Sequence, residues 1–398
     1  MKPGPTPRRL QKYVARCLGL KTYLRTPGDG RRQPQIPAAA LLWALLVGQI
    51  LREHAFHAVE ALVRSRARRA LGVSQAFGDD TLAYFTARLS ALPTRAALAQ
   101  AVRQAKRHKA FDHCRFIGLS VDGTTVGRCA RSACSLCRPW RKADGEIGGY
   151  RHHLVLISVV GTGLTLPLDV EPYGPKDSEY AAGQRLLRRA VKQVGVRFAD
   201  YVVVDAAYAS AGFLHAAGDL GLRVVARLKA NLPELSEAAQ RRFDRQPPTS
   251  TFRHGKDRIE VWDADDFDPW QALRWTTVRV LRYRQHKASG EVVEAYWLTD
   301  FPARRLSSRT LFQLAKSRWE IENQGFNDAK NRHGLEHICH HHPNSLLLTW
   351  LLIALALTIE RLYRLRYLHR GSHPVRSPIA FFRLLRLSLS SPAAVDSS

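Results

Sequence analysis

The spacing of apolar residues changes at Phe116, and the change separates two kinds of predicted structure. From about Ala38 to Lys109, apolar residues recur at intervals of three and four, which is the period of a helix with one buried face. From Phe116 onwards, short continuous apolar runs such as Tyr201–Val204 are typical of buried central strands. The pattern therefore predicts an α/β fold preceded by a helical segment.

The first predicted strand covers residues 116–122, and strands and helices alternate after it. Apolar runs on either side of residues 161–163 predict a β-hairpin, and residues 178–195 have helical spacing. The run at 201–204 is followed by a predicted helix at 209–221 and a strand at 223–227, which together make a βαβ unit. Residues 276–283 and 291–297 then predict strands, before helical spacing returns after Ser307.

These changes of pattern divide the chain into five predicted regions. They are a basic helical module at 1–110, the first part of an α/β core at 111–229 with a Cys-rich insertion at 128–149, a β-rich insertion at 230–300, a final helix with C-terminal helices at 301–370, and a tail at 371–398. A chain of 398 residues exceeds the usual size of a single hydrophobic core, in agreement with several regions.

The chain is strongly basic, with 61 Lys and Arg against 34 Asp and Glu and a net charge of +27. Residues 1–110 hold 20 of the basic residues and 5 of the acidic ones, so +15 of this charge lies in the predicted helical module. Such a concentration favours a nucleic acid or an anionic membrane as partner. A solvated surface in an arginine-rich protein is the alternative interpretation.

Two apolar runs, residues 36–51 and 346–359, are candidates for membrane spans. Both fall short of the about 20 residues that a spanning helix needs, so buried helices and no membrane partner are expected. The N-terminus leads into no signal sequence, and the six cysteines are not spaced like a disulfide framework. These features predict a cytoplasmic protein.

Two aspartates each follow an apolar strand run and should lie at the carboxyl edge of the sheet, where ligands bind in open α/β folds. They are Asp122, before Gly123, and Asp205, at the end of Tyr201–Val204. Their oxygens would suit Mg²⁺ or Mn²⁺, and phosphodiester chemistry with two ions requires a further carboxylate. Either aspartate alone could instead form a turn or cap a helix.

The stretch Ser317–Lys330 reads as one amphipathic helix that could supply this carboxylate. Arg318 and Glu322 lie four residues apart on one face, with Lys330 further along the helix, whereas Glu320 should point away. Glu322 is thus the candidate third metal ligand, with Arg318 and Lys330 gripping phosphate. Without the aspartates, the same spacing would describe only a surface ion pair.

The order Asp, Asp, then Arg-Trp-x-Ile-Glu resembles the DDE transposases of bacterial insertion sequences. Arg318 and Glu322 match the Arg and Glu of that family's Tyr-x2-Arg-x3-Glu-x6-Lys motif, while Ala315 stands at its Tyr position and Lys330 lies one residue after its Lys position. The sequence Asp205-Ala-Ala-Tyr208 is similar to the family's Asp-x-x-Tyr turn.

The resemblance implies an RNase H-like catalytic core with a β-rich insertion and helical flanks. It also implies that Asp122, Asp205 and Glu322 hold Mg²⁺ for cleavage at the transposon ends and strand transfer into target DNA. The expected partner is double-stranded DNA, both as the terminal repeats and as the target. Further copies of the chain are expected to assemble on that DNA, and the protein is expected to associate with the nucleoid. A non-catalytic sequence-specific DNA-binding protein and an RNase H-like nuclease without specific ends are the alternatives.

Several further residues are candidates for binding. Arg227 and Lys229, at the end of a predicted strand, could contact the DNA backbone or be merely solvated. Cys129, Cys134 and Cys137, with His152 or His153 (His153 being the favoured ligand), could bind Zn²⁺ as a Cys₃His site, or could be free or buried thiols. A histidine cluster after the final helix could bind a metal, face DNA or cap helices; its members are His333, His337, His340, His341 and His342.

Overall fold

The computed structural model describes residues 4–25, 28–369 and 374–390. Its described residues contain one mixed sheet with helices on its faces, which confirms the predicted α/β fold. The ten strands are β1 Gly118–Cys129, β2 Arg138–Arg141, β3 Ile147–Val160, β4 Leu166–Tyr173, β5 Tyr201–Val204, β6 Arg223–Leu228, β7 Ser250–His254, β8 Asp257–Phe267, β9 Val278–His286 and β10 Val292–Thr299.

Five strands in the order β4-β3-β1-β5-β6 form the centre of this sheet. β1 pairs antiparallel with β3 and parallel with β5, and β5 pairs parallel with β6. This arrangement of a central first strand between antiparallel and parallel neighbours is RNase H-like. All four residues of β5 are buried, as the continuous apolar run predicted for a strand covered on both faces.

The β-rich region extends the same sheet instead of forming a separate unit. β10 pairs antiparallel with β6, and β9, β8 and β7 continue outwards in that order. The backbone at the edge of β6 would otherwise be left without partners, and β10 supplies them. Trp297 of β10 is fully buried and packs edge-on against Trp319 of the final helical region. This packing ties the extension to the predicted catalytic helix.

The helices lie before, between and after the strands. They are α1 Pro7–Lys12, α2 Lys21–Arg25, α3 Ala38–Ile50, α4 Phe56–Arg64, α5 Ala67–Leu71, α6 Asp79–Arg88, α7 Ala91–Arg107, α8 Glu179–Val194, α9 Ala211–Asp219, α10 Pro233–Phe243, α11 Ser308–Lys316, α12 Asn327–His333, α13 Pro343–Tyr363 and α14 Pro378–Ser390. Helix α14 lies within the predicted tail, of which residues 371–373 and 391–398 are outside the described residues.

Helix α13 forms the centre of the helical part of the molecule. It contacts α3, α6, α7 and β4, so every residue from Leu348 to Tyr363 is buried. The helix Pro343–Leu368 is long and apolar enough to cross a membrane, but 94% of its most apolar window is buried inside the protein. Protein side chains therefore cover the apolar surface of this helix.

A buried ion-pair network joins the basic N-terminal helices to the sheet. Asp169 of β4 is fully buried and accepts hydrogen bonds from Arg95 of α7 and, at 2.6 Å, from Arg189 of α8. Burial raises the pKa of Asp169, and the two guanidinium charges oppose the shift. Loss of one partner from such a buried pair typically costs about 3–5 kcal/mol, so the network fixes helix α7 on the core.

Candidate active site

Asp122 and Asp205 lie side by side on neighbouring strands. The parallel register of β1 and β5 ends at the pair Val121 and Val204, so each aspartate is the next residue along its strand. Neighbouring strands lie about 4.8 Å apart, which brings both carboxylates to one place. One detail differs from the sequence interpretation, because β1 continues through Asp122 to Cys129 in its pairing with β3. Because β5 ends at Val204, β1 has no β5 partner beyond Val121, and Asp122 lies where this pairing stops.

The predicted helix over Ser317–Lys330 is interrupted. Helix α11 ends at Lys316, a turn follows, a π-helical segment covers Ile321–Phe326, and α12 then begins. Gly325 in the π-helical segment lies close to β3, where an added Cβ would be 3.3 Å from the Leu156 side chain. The lack of a side chain thus lets this segment approach the sheet and bring Glu322 to the aspartates.

Arg318 connects the predicted carboxylates. Its guanidinium group donates to Glu322 Oε1 at 2.7 Å and to Asp122 Oδ2 at 3.4 Å, and its side chain is only 9% exposed. Its charge also lowers the pKa of Asp205. Three acidic residues that are separated by 83 and 117 positions in the chain therefore lie around one buried cation.

Asp122 lies in an environment with excess negative charge. Burial, together with the carboxylates of Glu322 and Glu179, raises the pKa of Asp122 to about 7, although the Arg318 charge and the Gly123 N–H act in the opposite direction. For Asp205 burial also acts to raise the pKa, but the Ala206 N–H and the charges of Arg318 and Lys229 lower it overall. A cation bound between these groups would relieve the repulsion at Asp122, and carboxylate oxygens are suitable ligands for Mg²⁺ or Mn²⁺.

Glu179 is a fourth carboxylate that the sequence analysis did not select. It begins α8, and an added Cβ on Gly123 would lie 2.2 Å from its carboxyl carbon, which shows how closely it covers the residue after Asp122. The hydroxyl groups of Tyr173 and Tyr208 each donate to it at 3.2 Å. Tyr208 is the tyrosine of the Asp-x-x-Tyr turn, so this turn positions Asp205 and Glu179 together.

The four cations predicted to contact DNA lie in different environments. Lys229 is 54% exposed and lies 3.4 Å from Asp205, whereas Arg318 is held by its two carboxylates. Lys330 donates to the Thr125 carbonyl at 3.1 Å. Arg227 is half-buried over the Trp297 ring, and burial lowers its pKa, so this side chain is poorly placed to reach a phosphate.

Glu320 points away from the aspartates, as predicted from the helical spacing. It accepts hydrogen bonds from the Gly161 N–H at 3.0 Å and from the Thr165 hydroxyl at 3.2 Å, both close to the β3–β4 turn. Burial raises the pKa of Glu320. Glu320 and Glu322 are two residues apart, but Glu320 contacts the β3–β4 turn whereas Glu322 contacts Arg318 beside the aspartates.

The structure places His152, and not the predicted His153, beside the three cysteines. A β-bulge at Gly127, where φ is +61°, shifts the register of β1 against β3 by one residue. Cys129 consequently pairs with Tyr150 and shares a face with His152, because side chains alternate along a strand. His153 lies instead beside Tyr173, with its Nδ1 3.4 Å from the hydroxyl oxygen. Burial lowers the pKa of His152 to about 4, so its imidazole is neutral.

The histidines from the end of α12 onwards have different surroundings. His333 is fully buried and lies 3.2 Å from Glu360, and His340 lies 3.0 Å from the Ser345 hydroxyl. His342 caps α13 by accepting from the Asn344 N–H, which agrees with the helix-capping alternative. His341 alone joins the group of Cys129, Cys137 and His152.

Residues 115–359 match the family described as the transposase DDE domain. Among solved structures, the chain is similar to a piggyBac transposase in a synaptic complex with hairpin DNA, at 14% identity and a TM-score of 0.46, over 97% of this chain and 80% of that one. No curated protein matches the chain.

Proposed function

The chain belongs to the transposase DDE domain family, and on that basis we propose that it catalyses metal-dependent DNA cleavage and strand transfer at the ends of an insertion sequence. The observation that carries the proposal is the convergence of Asp122, Asp205 and Glu322 around Arg318. If the aspartates only formed turns and Arg318 and Glu322 were only a surface ion pair, three carboxylates that are distant in the chain would have no reason to meet at one edge of the sheet.

The four carboxylates fit the divalent cation that the family implies. Asp122, Asp205 and Glu322 would hold Mg²⁺ or Mn²⁺, and Glu179 would lie beside Asp122 as a further oxygen ligand. A cation bound there supplies Lewis-acid stabilisation of the charge that develops on a phosphodiester. The carboxylates act in this proposal as ligands and do not carry protons.

The basic residues around the carboxylates have separate proposed roles. Arg318 holds Asp122 and Glu322 in place, and its guanidinium group is suited to pair with a phosphate that enters the site. Lys229 offers a largely exposed charge next to Asp205, so it is the best candidate for a direct backbone contact. Lys330 donates to the carbonyl of Thr125 on β1, so it would stabilise this strand next to the proposed path of the DNA.

Double-stranded DNA is the proposed partner, first as terminal repeats and then as target. Arg64, Arg66 and Arg69 are exposed at and between helices α4 and α5, within the segment 1–110 that carries +15 of the net charge. By contrast, Arg103 and Lys106 of α7 bind the carbonyl groups of Gln193 and Phe198 and so serve the fold. The protein is also proposed to assemble on the DNA as a homo-oligomer. It would do so in the cytoplasm, at the nucleoid.

The proposal is tested with purified protein and DNA that carries the inverted repeats flanking its gene. We expect strand cleavage in Mg²⁺ or Mn²⁺, loss of cleavage in EDTA, and recovery when the cation is restored. Scrambled repeat ends serve as the control, because a nuclease without specific ends would cut them equally well. Specific binding without cleavage at every metal concentration would favour the non-catalytic alternative.

A second prediction concerns Glu179. The substitution Glu179→Gln keeps the shape and leaves an oxygen acceptor for one of the two tyrosine hydroxyls. It removes a negative charge beside Asp122, and we expect cleavage to fall about 10–100-fold, as for residues that support metal ligands. The assay is single-turnover cleavage over a range of Mg²⁺ concentrations. Glu234→Gln is the matched control, because Glu234 also lies in the first turn of a helix but is exposed. Equal rates for both variants would leave Glu179 with only a helix-stabilising role.

A further inference from the structure

Five sulfur and nitrogen ligands lie together beyond the carboxylate site, beginning seven residues after Asp122 on β1. His152 Nε2 is 3.2 Å from the sulfur of Cys134 and 3.4 Å from that of Cys137, and the two sulfurs are 3.6 Å apart. Ligand atoms of Cys129, Cys137, His152 and His341 all lie within 4.8 Å of one another. The group therefore combines residues of the segment 129–152 with His341, which is distant in the chain.

These separations suit a tetrahedral metal. Zinc–sulfur bonds of about 2.3 Å and zinc–nitrogen bonds of about 2.0–2.1 Å place tetrahedral ligand atoms about 3.3–3.8 Å apart. The triangle formed by Cys134, Cys137 and His152 has sides of 3.2, 3.4 and 3.6 Å, close to these dimensions. The cysteines are free thiols. Thiolate and imidazole ligands select Zn²⁺ over Mg²⁺, which prefers oxygen.

The surrounding backbone holds the ligands in this arrangement. The Cys137 N–H donates to the Cys134 carbonyl at 3.1 Å, and the Ala133 N–H lies 3.5 Å from the Cys137 sulfur, so a tight turn presents both thiols to His152. Among the described residues, Nδ1 of His341 is buried and has no hydrogen-bond partner. A buried ring nitrogen without a partner is unfavourable, and coordination of a cation would satisfy it.

We propose that this group is a structural zinc site in which Cys129, Cys137 and His152 are ligands and either Cys134 or His341 completes the tetrahedron. The ion would join the end of β1, the loop before β2, strand β3 and the segment before α13. It would thereby fix the distal half of the strand that carries Asp122 to the segment that follows the catalytic helix. This proposal is independent of the DNA reaction.

The test is the metal content of the full-length protein after expression in zinc-supplemented medium. We expect about one zinc ion per chain in the wild type, most of which is lost in Cys137→Ser. Cys114→Ser is the matched control. Because Cys114 lies outside the group, this variant should keep the ion. Comparison of Cys134→Ser with His341→Ala identifies the fourth ligand, since only one of these variants should lose zinc to the same extent.

A second measurement covers the case in which Cys137→Ser fails to fold. A strong chelator applied to the wild type should lower the Tm, and Zn²⁺ but not Mg²⁺ should restore it. Co²⁺ added to the zinc-free protein should give the absorption bands of tetrahedral thiolate coordination. Zinc-free wild-type protein, a wild-type zinc content in Cys137→Ser, or a disulfide between Cys134 and Cys137 would overturn the proposal.

Discussion

Replacement of Asp122 by asparagine is expected to lower DNA strand cleavage by at least about 100-fold, because even residues that only support metal ligands change activity about 10–100-fold. Asparagine has nearly the same shape but lacks the charge that a divalent cation requires. Asp122 is mostly buried and its pKa is raised to about 7, so the substitution also relieves repulsion with Glu322 and Glu179. The folded protein should therefore be at least as stable as the wild type without metal.

DNA affinity should be nearly unchanged in Asp122→Asn, since affinity for DNA comes mainly from phosphate contacts of basic residues. The two properties are measured side by side, as single-turnover cleavage in Mg²⁺ and as binding of terminal-repeat DNA at one fixed salt concentration. Asp268→Asn, at an exposed position after β8, is the control for an ordinary loss of charge. Wild-type cleavage by Asp122→Asn would remove Asp122 from the catalytic site.

The parts of the fold that the sequence predicted well are those set by local pattern. The β3–β4 hairpin, helix α8 and the βαβ unit from β5 to β6 formed as expected, because their apolar spacing and turn residues act over short distances. The pairing of β10 with β6 depends on which strand edges remain open in the assembled sheet, so the sequence could not show that the β-rich region continues the core.

The candidate site shows the same division between local and tertiary information. Asp122 and Asp205 could be selected because each follows a recognisable strand run. Glu179 has no such signal, since a glutamate in the first turn of a helix is ordinary, and only its packing over Gly123 brings it to the site. Likewise, the choice between His152 and His153 depends on the bulge at Gly127, whose position a single sequence does not specify.

Glu322 and Glu320 allow the strictest test of the active-site assignment, because they have the same chemistry and lie two residues apart. Glu322→Gln should reduce cleavage by at least about 100-fold, by the same argument as for Asp122. Glu322 is 42% exposed, so loss of its pairing with Arg318 should change the free energy of unfolding little, by about 1 kcal/mol or less.

Glu320→Gln should affect cleavage in the opposite way. Its carboxylate is mostly buried and accepts from the Gly161 N–H and the Thr165 hydroxyl, bonds that an amide oxygen can also accept. Because burial already favours the neutral form of Glu320 and raises its pKa, the substitution should change the free energy of unfolding by about 1 kcal/mol or less. Cleavage by the folded fraction should remain near the wild-type rate. Both variants are compared by urea unfolding and by cleavage under identical conditions. If Glu320→Gln abolished cleavage while Glu322→Gln did not, the third carboxylate would be Glu320, and the geometry around Arg318 would have to reflect an ion pair alone.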